Sequence, residues 1–300
     1  MTTEKKYVPL GFVLAFALSA GHQQVLRAGS DAKEFAFTTV DLPGTATALQ
    51  GINDAGDVSG SYVDAAGIRH GFVLRRRERV ATVVDFPGAA WTRLWGINPQ
   101  GDVVGTYGYG PGGATDIAVH GFLMSRDGEF TEIHYPGHLY EIPQRITSTG
   151  LIVGCYHDTD FMDSMHAFTR SRDGVFTGLS LSNSMHTGST PDGLTKVGTY
   201  ASVHSYVLDH GTFIPFDVPD STLTLAYDIN PQSEIVGHYR DLAGVFHGFF
   251  RGKDGGFTTL DVPGATSTQA RSINARGEIV GFYVSGGRTH GFMARPVRDR

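Results

Sequence analysis

An apolar run ending in Gly-x-Tyr, a short loop and then His-[Gly/Ala/Ser]-[Phe/Tyr] recur six times along this 300-residue chain. The tyrosines are Tyr62, Tyr107, Tyr156, Tyr200, Tyr239 and Tyr283, and the histidines His70, His120, His166, His204, His247 and His290. Successive histidines lie 50, 46, 38, 43 and 43 residues apart, the period of a four-stranded propeller blade rather than of a helical solenoid unit. Charged residues make up 18%, there are 40 glycines, and no long stretch after the N-terminus has helical spacing of apolar residues. The composition is that of an all-β domain.

Overlaying the repeats gives four short β-rich runs separated by turn residues. Gly-Ile-Asn (Ile52, Ile97, Ile229, Ile273) is read as the innermost strand, and the Gly-x-Tyr run as the second. His-x-Phe is the third, and Phe-Thr-Thr-x-Asp the fourth. The chain opens on a fourth-type strand, about Glu34 to Asp41, and stops after a third-type strand, His290 to Ala294. The expected fold is therefore a six-bladed β-propeller of four-stranded blades, with the N-terminal strand completing the C-terminal blade, which removes exposed sheet edges. Tyr and His flank one hairpin loop in each repeat, so phenol and imidazole are expected to pack and to satisfy each other across the strand pair. Asn53, Asn98, Asn230 and Asn274 precede tight turns and are expected to bond their own backbone rather than a metal.

These motifs resemble the bacterial extracellular HAF-repeat family, whose His-Ala-Phe stands here as His166, Ala167 and Phe168. Five of the six copies carry Gly or Ser in place of Ala. The resemblance spans nearly the whole chain after the N-terminal segment and implies an exported β-propeller-like protein. It implies no activity that transfers residue by residue.

Residues 1–28 differ from the rest: Lys5 and Lys6, an apolar run from Tyr7 to Leu18, then Ser19 and Ala20. This is the layout of a secretory signal peptide, and the run is shorter than the ~20 residues that a membrane-spanning helix needs. Residues 29–300 form the single domain, periplasmic or secreted, with no stable membrane insertion once the signal is removed. Removal would take Lys5, Lys6, Arg27 and Glu4 with it and move the net charge from -6 to -8. Such a chain has no electrostatic reason to bind nucleic acid. The lone Cys155 allows no intramolecular disulfide and is read as a small buried hydrophobe.

Residues that break the repeat are the candidates for function, because a residue present in every blade answers a need that every blade has. Aspartate ends the fourth strand at Asp41, Asp85, Asp217 and Asp261, whereas His134 and Ser180 take its place in two repeats. The segments leading into the first strand are equally individual, with Trp91, Arg93, Trp95, Tyr140, Glu141, Arg145, His186, Tyr227 and Arg271. These segments and the Tyr-to-His loops should emerge on one face. Trp91, Arg93, Trp95, Tyr140, Arg145, Tyr227 and Arg271 are the expected ligand-binding set, serving a small polar or glycan-like molecule in a pocket on blades two to four. The alternative is a lyase, isomerase or hydrolase in the same pocket, with His157, His134 or His186 as acid/base beside Asp158 or Glu141. An adhesion or scaffold role on the rim is the third reading. No metal or cofactor is expected: Asp158, Asp160 and Asp163 lack the glycine and glutamate of a calcium loop, and Pro136 and Gly137 keep His134 and His138 off a common helix face. The protein is expected to be a monomer.

Overall fold

The computed structural model describes residues 13–15, 33–110, 119–138, 140–158 and 164–297. Strands β1 (Val13–Ala15) and β2 (Phe35–Val40) precede β3 (Ala46–Ile52), β4 (Val58–Val63), β5 (Arg69–Arg75) and β6 (Val80–Val84). Next come β7 (Trp91–Ile97), β8 (Val103–Gly108), β9 (His120–Met124) and β10 (Phe130–Ile133), then β11 (Tyr140–Ile146), β12 (Ile152–His157), β13 (Met165–Arg170) and β14 (Phe176–Ser182). They are followed by β15 (Ser184–Ser189), β16 (Thr195–Tyr200), β17 (His204–Asp209) and β18 (Thr212–Phe216), and by β19 (Leu223–Ile229), β20 (Ile235–Arg240), β21 (Phe246–Arg251) and β22 (Phe257–Leu260). Last are β23 (Ser267–Ile273), β24 (Ile279–Ser285) and β25 (Arg288–Pro296).

The fold is an all-β propeller. Four sheets stand apart with four antiparallel strands each, β7–β10, β11–β14, β15–β18 and β19–β22. The expectation of six separate four-stranded sheets is corrected here, because the other nine strands form one sheet. A single parallel bridge, Thr289 to Ala46, joins β25 to β3, and β1 adds to the outer edge of β6. Within the nine-stranded sheet, β2 pairs antiparallel with β25 from Phe35 opposite Pro296 to Val40 opposite Gly291. The innermost strands β3, β7, β11, β15, β19 and β23 each touch the next, and β23 touches β3.

The register of each second and third strand follows from two opposed pairs. Gly60 faces Phe72 and Tyr62 faces His70; Gly237 faces Phe249 and Tyr239 faces His247. A side chain on Gly237 would come within 2.7 Å of the Phe249 ring, so glycine is what lets the aromatic ring lie flat on the neighbouring backbone. The six Tyr–His ring pairs lie 5.1–5.3 Å apart between centroids. Their packing is as expected, but the imidazoles find their hydrogen bonds elsewhere. His70, His204, His247 and His290 place Nδ1 2.7–2.8 Å from Asp85, Asp217, Asp261 and Asp41. The carboxylate is the better partner because it can accept from an imidazole in either charge state, which a phenol hydroxyl does less well.

At the opposite end of the inner strands, the Asn side chains do what the sequence suggests and more. Asn53 Oδ1 accepts from Asp57 N, and Asn274 Oδ1 from Glu278 N. Each amide nitrogen also donates to the turn after the next inner strand: Asn53 to Asn98 O, Asn230 to Asn274 O, and Asn274 to Asn53 O, at 2.9–3.3 Å. These links tie adjacent inner strands where no backbone ladder runs between them.

Phe35 and Phe37 of β2 sit in one apolar cluster with Phe250, Ile279 and Phe292, and Phe37 meets Phe292 edge-on at 5.6 Å. Phe37→Ala is expected to lower the unfolding free energy in urea by about 3 kcal/mol. Thr38→Ala, on the half-buried alternate face, should cost under about 1 kcal/mol. Equal effects would show that β2 does not seat as described.

Candidate functional site

Trp91 opposes Gly108 and Tyr140 opposes His157, so the lead-in segments and the ends of the second strands share one face. The loops between second and third strands rise from that face, and the Asn turns occupy the other. Residues 111–118 and 159–163, with Asp160 and Asp163, lie outside the described residues.

A cleft of about 580 Å³ opens on the loop face between the Val63–His70 segment and the stretch from Ala89 to Thr92. Trp91, Arg69, His70 and Asp85 line it, with Val63 and Ile68 as apolar wall. It lies beside the first repeat rather than on blades two to four. The cause is connectivity: the chain crosses from outer strand β6 to inner strand β7 over the loop face, so Trp91 borders the preceding repeat's loop as well as Gly108 of its own repeat. Of the seven expected ligand-binding residues, only Trp91 lines this cleft. Arg69 was missed by the sequence reading, although it breaks the repeat as Trp91 does. The residue before the repeated histidine is Val119, Met165, Val203, Phe246 or Thr289 in the other copies.

His70 is clamped by two carboxylates, Asp85 at 2.7 Å on Nδ1 and Asp64 at 3.3 Å on Nε2. Burial disfavours the imidazolium, but the two carboxylates outweigh it and the pKa is raised. His247 is held in the same way by Asp261 and Asp241, so the clamp belongs to the blade and not to the cleft.

Five of the remaining expected residues converge at the axis. Each inner strand slips register once, at Gln50, Trp95, Gln144, Thr187, Tyr227 and Arg271, and the extra residue widens the strand there. Arg145 spans the channel from β11. Its Nε lies 3.2 Å from Asp228 Oδ2 on β19, Nη1 donates to Trp95 O on β7, and Nη2 donates to Arg271 O on β23. Asp228 also accepts from Ser272 Oγ at 2.5 Å and from the Ile229 and Ile273 amides. Burial raises the Asp228 pKa, opposed by the Arg145 charge. On the Asn-turn side of this pair is a pocket of about 90 Å³ walled by Ile52, Ile97, Ile146, Ile229 and Ile273, which has room only for a few waters.

On the loop side of the pair, the Arg93 guanidinium lies 4.9 Å from the centre of the Trp95 ring, and Arg271 lies 3.9 Å from that of Tyr227. Trp95 is not an open stacking shelf: it is buried, and its indole N–H donates to Thr106 Oγ1 at 3.1 Å. Tyr227 is buried between Arg271 and His238. Tyr140 is half-buried at the loop-face end of β11.

The expected acid/base residues do not assemble. His157 is buried with Nε2 3.6 Å from Cys155 Sγ, and burial pushes the thiol pKa up. His186 is buried against Tyr206, whose hydroxyl is 2.7 Å from Nδ1, and desolvation pushes its pKa down to about 3. His134 is exposed and bonds Glu132 at 2.9 Å. Asp158 holds His166 Nε2 at 2.9 Å, as the loop residues Asp64 and Asp241 hold His70 and His247, and lies 3.3 Å from His138. Glu141 is fully buried, and its Oε1 accepts from the Tyr135 amide. Thr47, Thr92, Thr224 and Thr268 accept a backbone amide in the same way in other sheets, so Glu141 is a structural acceptor. Among the described residues no group of three or more His, Cys, Asp or Glu side chains is arranged to hold a metal.

No protein-family model matches this chain, and no curated protein matches it. Solved structures match in fold. TolB from Acinetobacter baumannii superposes with a TM-score of 0.57 at 10% identity, over 81% of this chain and 64% of that one. The lectin of the fungus Aleuria aurantia, described as a six-bladed β-propeller with a fucose recognition mode, superposes with a TM-score of 0.51 at 13% identity, over 85% of this chain and 93% of that one.

Desolvation raises the Glu141 pKa to about 7, above its value in an unfolded chain. The folded state therefore favours the protonated form, and stability falls as pH rises from about 4.5 through 7. Glu141→Gln keeps the acceptor and removes the charge, so its melting temperature should match wild type at pH 4.5 and exceed it at pH 8, by about 3 kcal/mol of stability. A variant that tracks wild type across the range would contradict this. Asp228→Ala strands a buried guanidinium and should cost about 3–5 kcal/mol, much of it recovered by adding Arg145→Met. Urea unfolding of the single and double variants measures both.

Proposed function

We propose that this chain is an exported six-bladed β-propeller that binds a small polar or glycan-like ligand in the cleft between Trp91 and the β4–β5 loop. The count of six takes the nine-stranded sheet as two blades in contact at one bridge. The circle of six inner strands supports this, as does the His290–Asp41 pair at 2.8 Å, in which a residue next to β2 performs for β25 what Asp85, Asp217 and Asp261 do in three other repeats. On this reading β2 closes the ring. Export rests on the basic and apolar character of residues 5–18, of which Val13–Ala15 pairs with β6. Among the described residues, no helix is long and apolar enough to cross a membrane. The HAF-repeat resemblance and a monomeric state belong to the same proposal.

The observation that carries the function is the make-up of the cleft: an indole, a guanidinium, an imidazole and one carboxylate, Asp85, around about 580 Å³. Sugar rings pack apolar C–H faces on indoles while their hydroxyls hydrogen-bond to charged side chains. The fold likeness to a fucose-recognising lectin supports the ligand class. Binding is favoured over catalysis because the one histidine lining the cleft is the repeated His70, already held by two carboxylates.

The test is titration calorimetry with a panel of neutral saccharides that includes L-fucose, together with tryptophan fluorescence. At least one sugar should bind wild type, Trp91→Ala should weaken it about tenfold or more, and Trp95→Phe should leave it unchanged. A panel without a binder, or equal affinity in Trp91→Ala, would reject the proposal.

A further inference from the structure

We propose that the loop-face mouth of the axial channel is an oxyanion-binding socket, in which Arg93 and Arg271 together take a small sulfate-like anion or the carboxylate of an acidic sugar. The Arg145 guanidinium reaches both Trp95 O and Arg271 O, so β7 and β23 approach within the span of one guanidinium. Arg93 is two residues from Trp95 on β7, toward the loop face, and near enough to Arg271 to feel its charge. Beneath them, the Arg145–Asp228 pair and its network closes the channel. The mouth is therefore a blind recess that opens on the same face as the cleft.

Two features make this recess receptive to an anion. Among the described residues, neither Arg93 nor Arg271 has a carboxylate within ion-pair distance. At the axis, Asp228 is committed to Arg145, Ser272 and two amides. Nε of both arginines is buried and makes no hydrogen bond, although both residues are partly open to solvent. Trp95 and Tyr227 support the planar faces of the guanidiniums; Arg271 Nη2 also donates to Gln269 Oε1 at 3.0 Å, a neutral acceptor that leaves its charge uncompensated. Planar N–H forks of this kind match carboxylate and sulfate oxygens in pairs. Burial and the charges of Arg69 and Arg271 depress the Arg93 pKa to about 9, the sign of a cation lacking compensation. An anion would offset that strain. Arg69 also lines the neighbouring cleft, so a sugar acid could engage both regions, but the socket does not depend on the cleft's role.

The experiment measures the melting temperature and calorimetric titrations of the full chain with sodium sulfate, sodium D-galacturonate and neutral D-galactose, against chloride at constant ionic strength. Sulfate or galacturonate should give a saturable stabilisation that chloride and galactose do not. Arg93→Gln and Arg271→Gln should each weaken it about tenfold or more, Arg93→Lys less, and Arg288→Gln, which removes an exposed charge bonded to Gly44 O, not at all. In chloride alone, Arg93→Gln should melt no lower than wild type, because a like-charge repulsion is gone. Preference for sulfate identifies a free oxyanion, and preference for galacturonate an acidic sugar; either supports the socket. No saturable response in wild type, or an unchanged one in Arg93→Gln, would overturn it whether or not neutral sugars bind the cleft.

Discussion

An aromatic ring laid on a glycine sets the frame of every sheet. Phe72 on Gly60, Phe122 on Gly105, Phe168 on Gly154, Tyr206 on Gly198, Phe249 on Gly237 and Phe292 on Gly281 are opposed residues of the second and third strands. A slip of one residue would drive each ring into a side chain and turn every core residue to the wrong face. With that register set, Tyr and His are forced opposite each other two residues on. In four of the six repeats a fourth-strand aspartate then meets the histidine's Nδ1.

Where a repeat loses a member, another side chain can repair the loss. Glu141 does the work of the inner-strand threonines, and at His166, where Ser180 stands in the fourth strand, the loop residue Asp158 still holds Nε2. These repairs explain why repeat-breaking residues are an ambiguous guide to function. A carboxylate in an unusual place can restore a hydrogen bond that the fold requires rather than add a new capability.

The axis is where departures from symmetry accumulate without repairing anything. Four of the six inner strands carry Gly or Ser where Arg145 and Asp228 stand. The small residues leave room for one long side chain to cross. Because Arg145 touches three other strands, the pair joins sheets that share no backbone ladder, and it divides the channel into a narrow apolar end and an open cationic one. Burying such a pair is costly, and its network of amides and Ser272 is what makes the geometry tenable.

Period, strand order and the shared face of the loops were legible in the sequence, because each is a local pattern repeated often enough to be read against itself. The importance of Trp91, Arg93, Arg145, Tyr227 and Arg271 was legible too, as breaks in that pattern. Their grouping was not. Trp91 and Trp95 lie four residues apart, yet one lines a peripheral cleft and the other is buried beside the axis, since the chain crosses between sheets at one and slips register at the other. His157 and His186 are as distinctive in sequence as Arg93, but they are enclosed. Sequence by itself determined what each blade is made of, because neighbours in a hairpin are neighbours in the chain. Only the tertiary structure decided which blades' side chains meet, because residues as remote as Arg145 and Arg271 come together only when the ring brings opposite strands across a narrow axis.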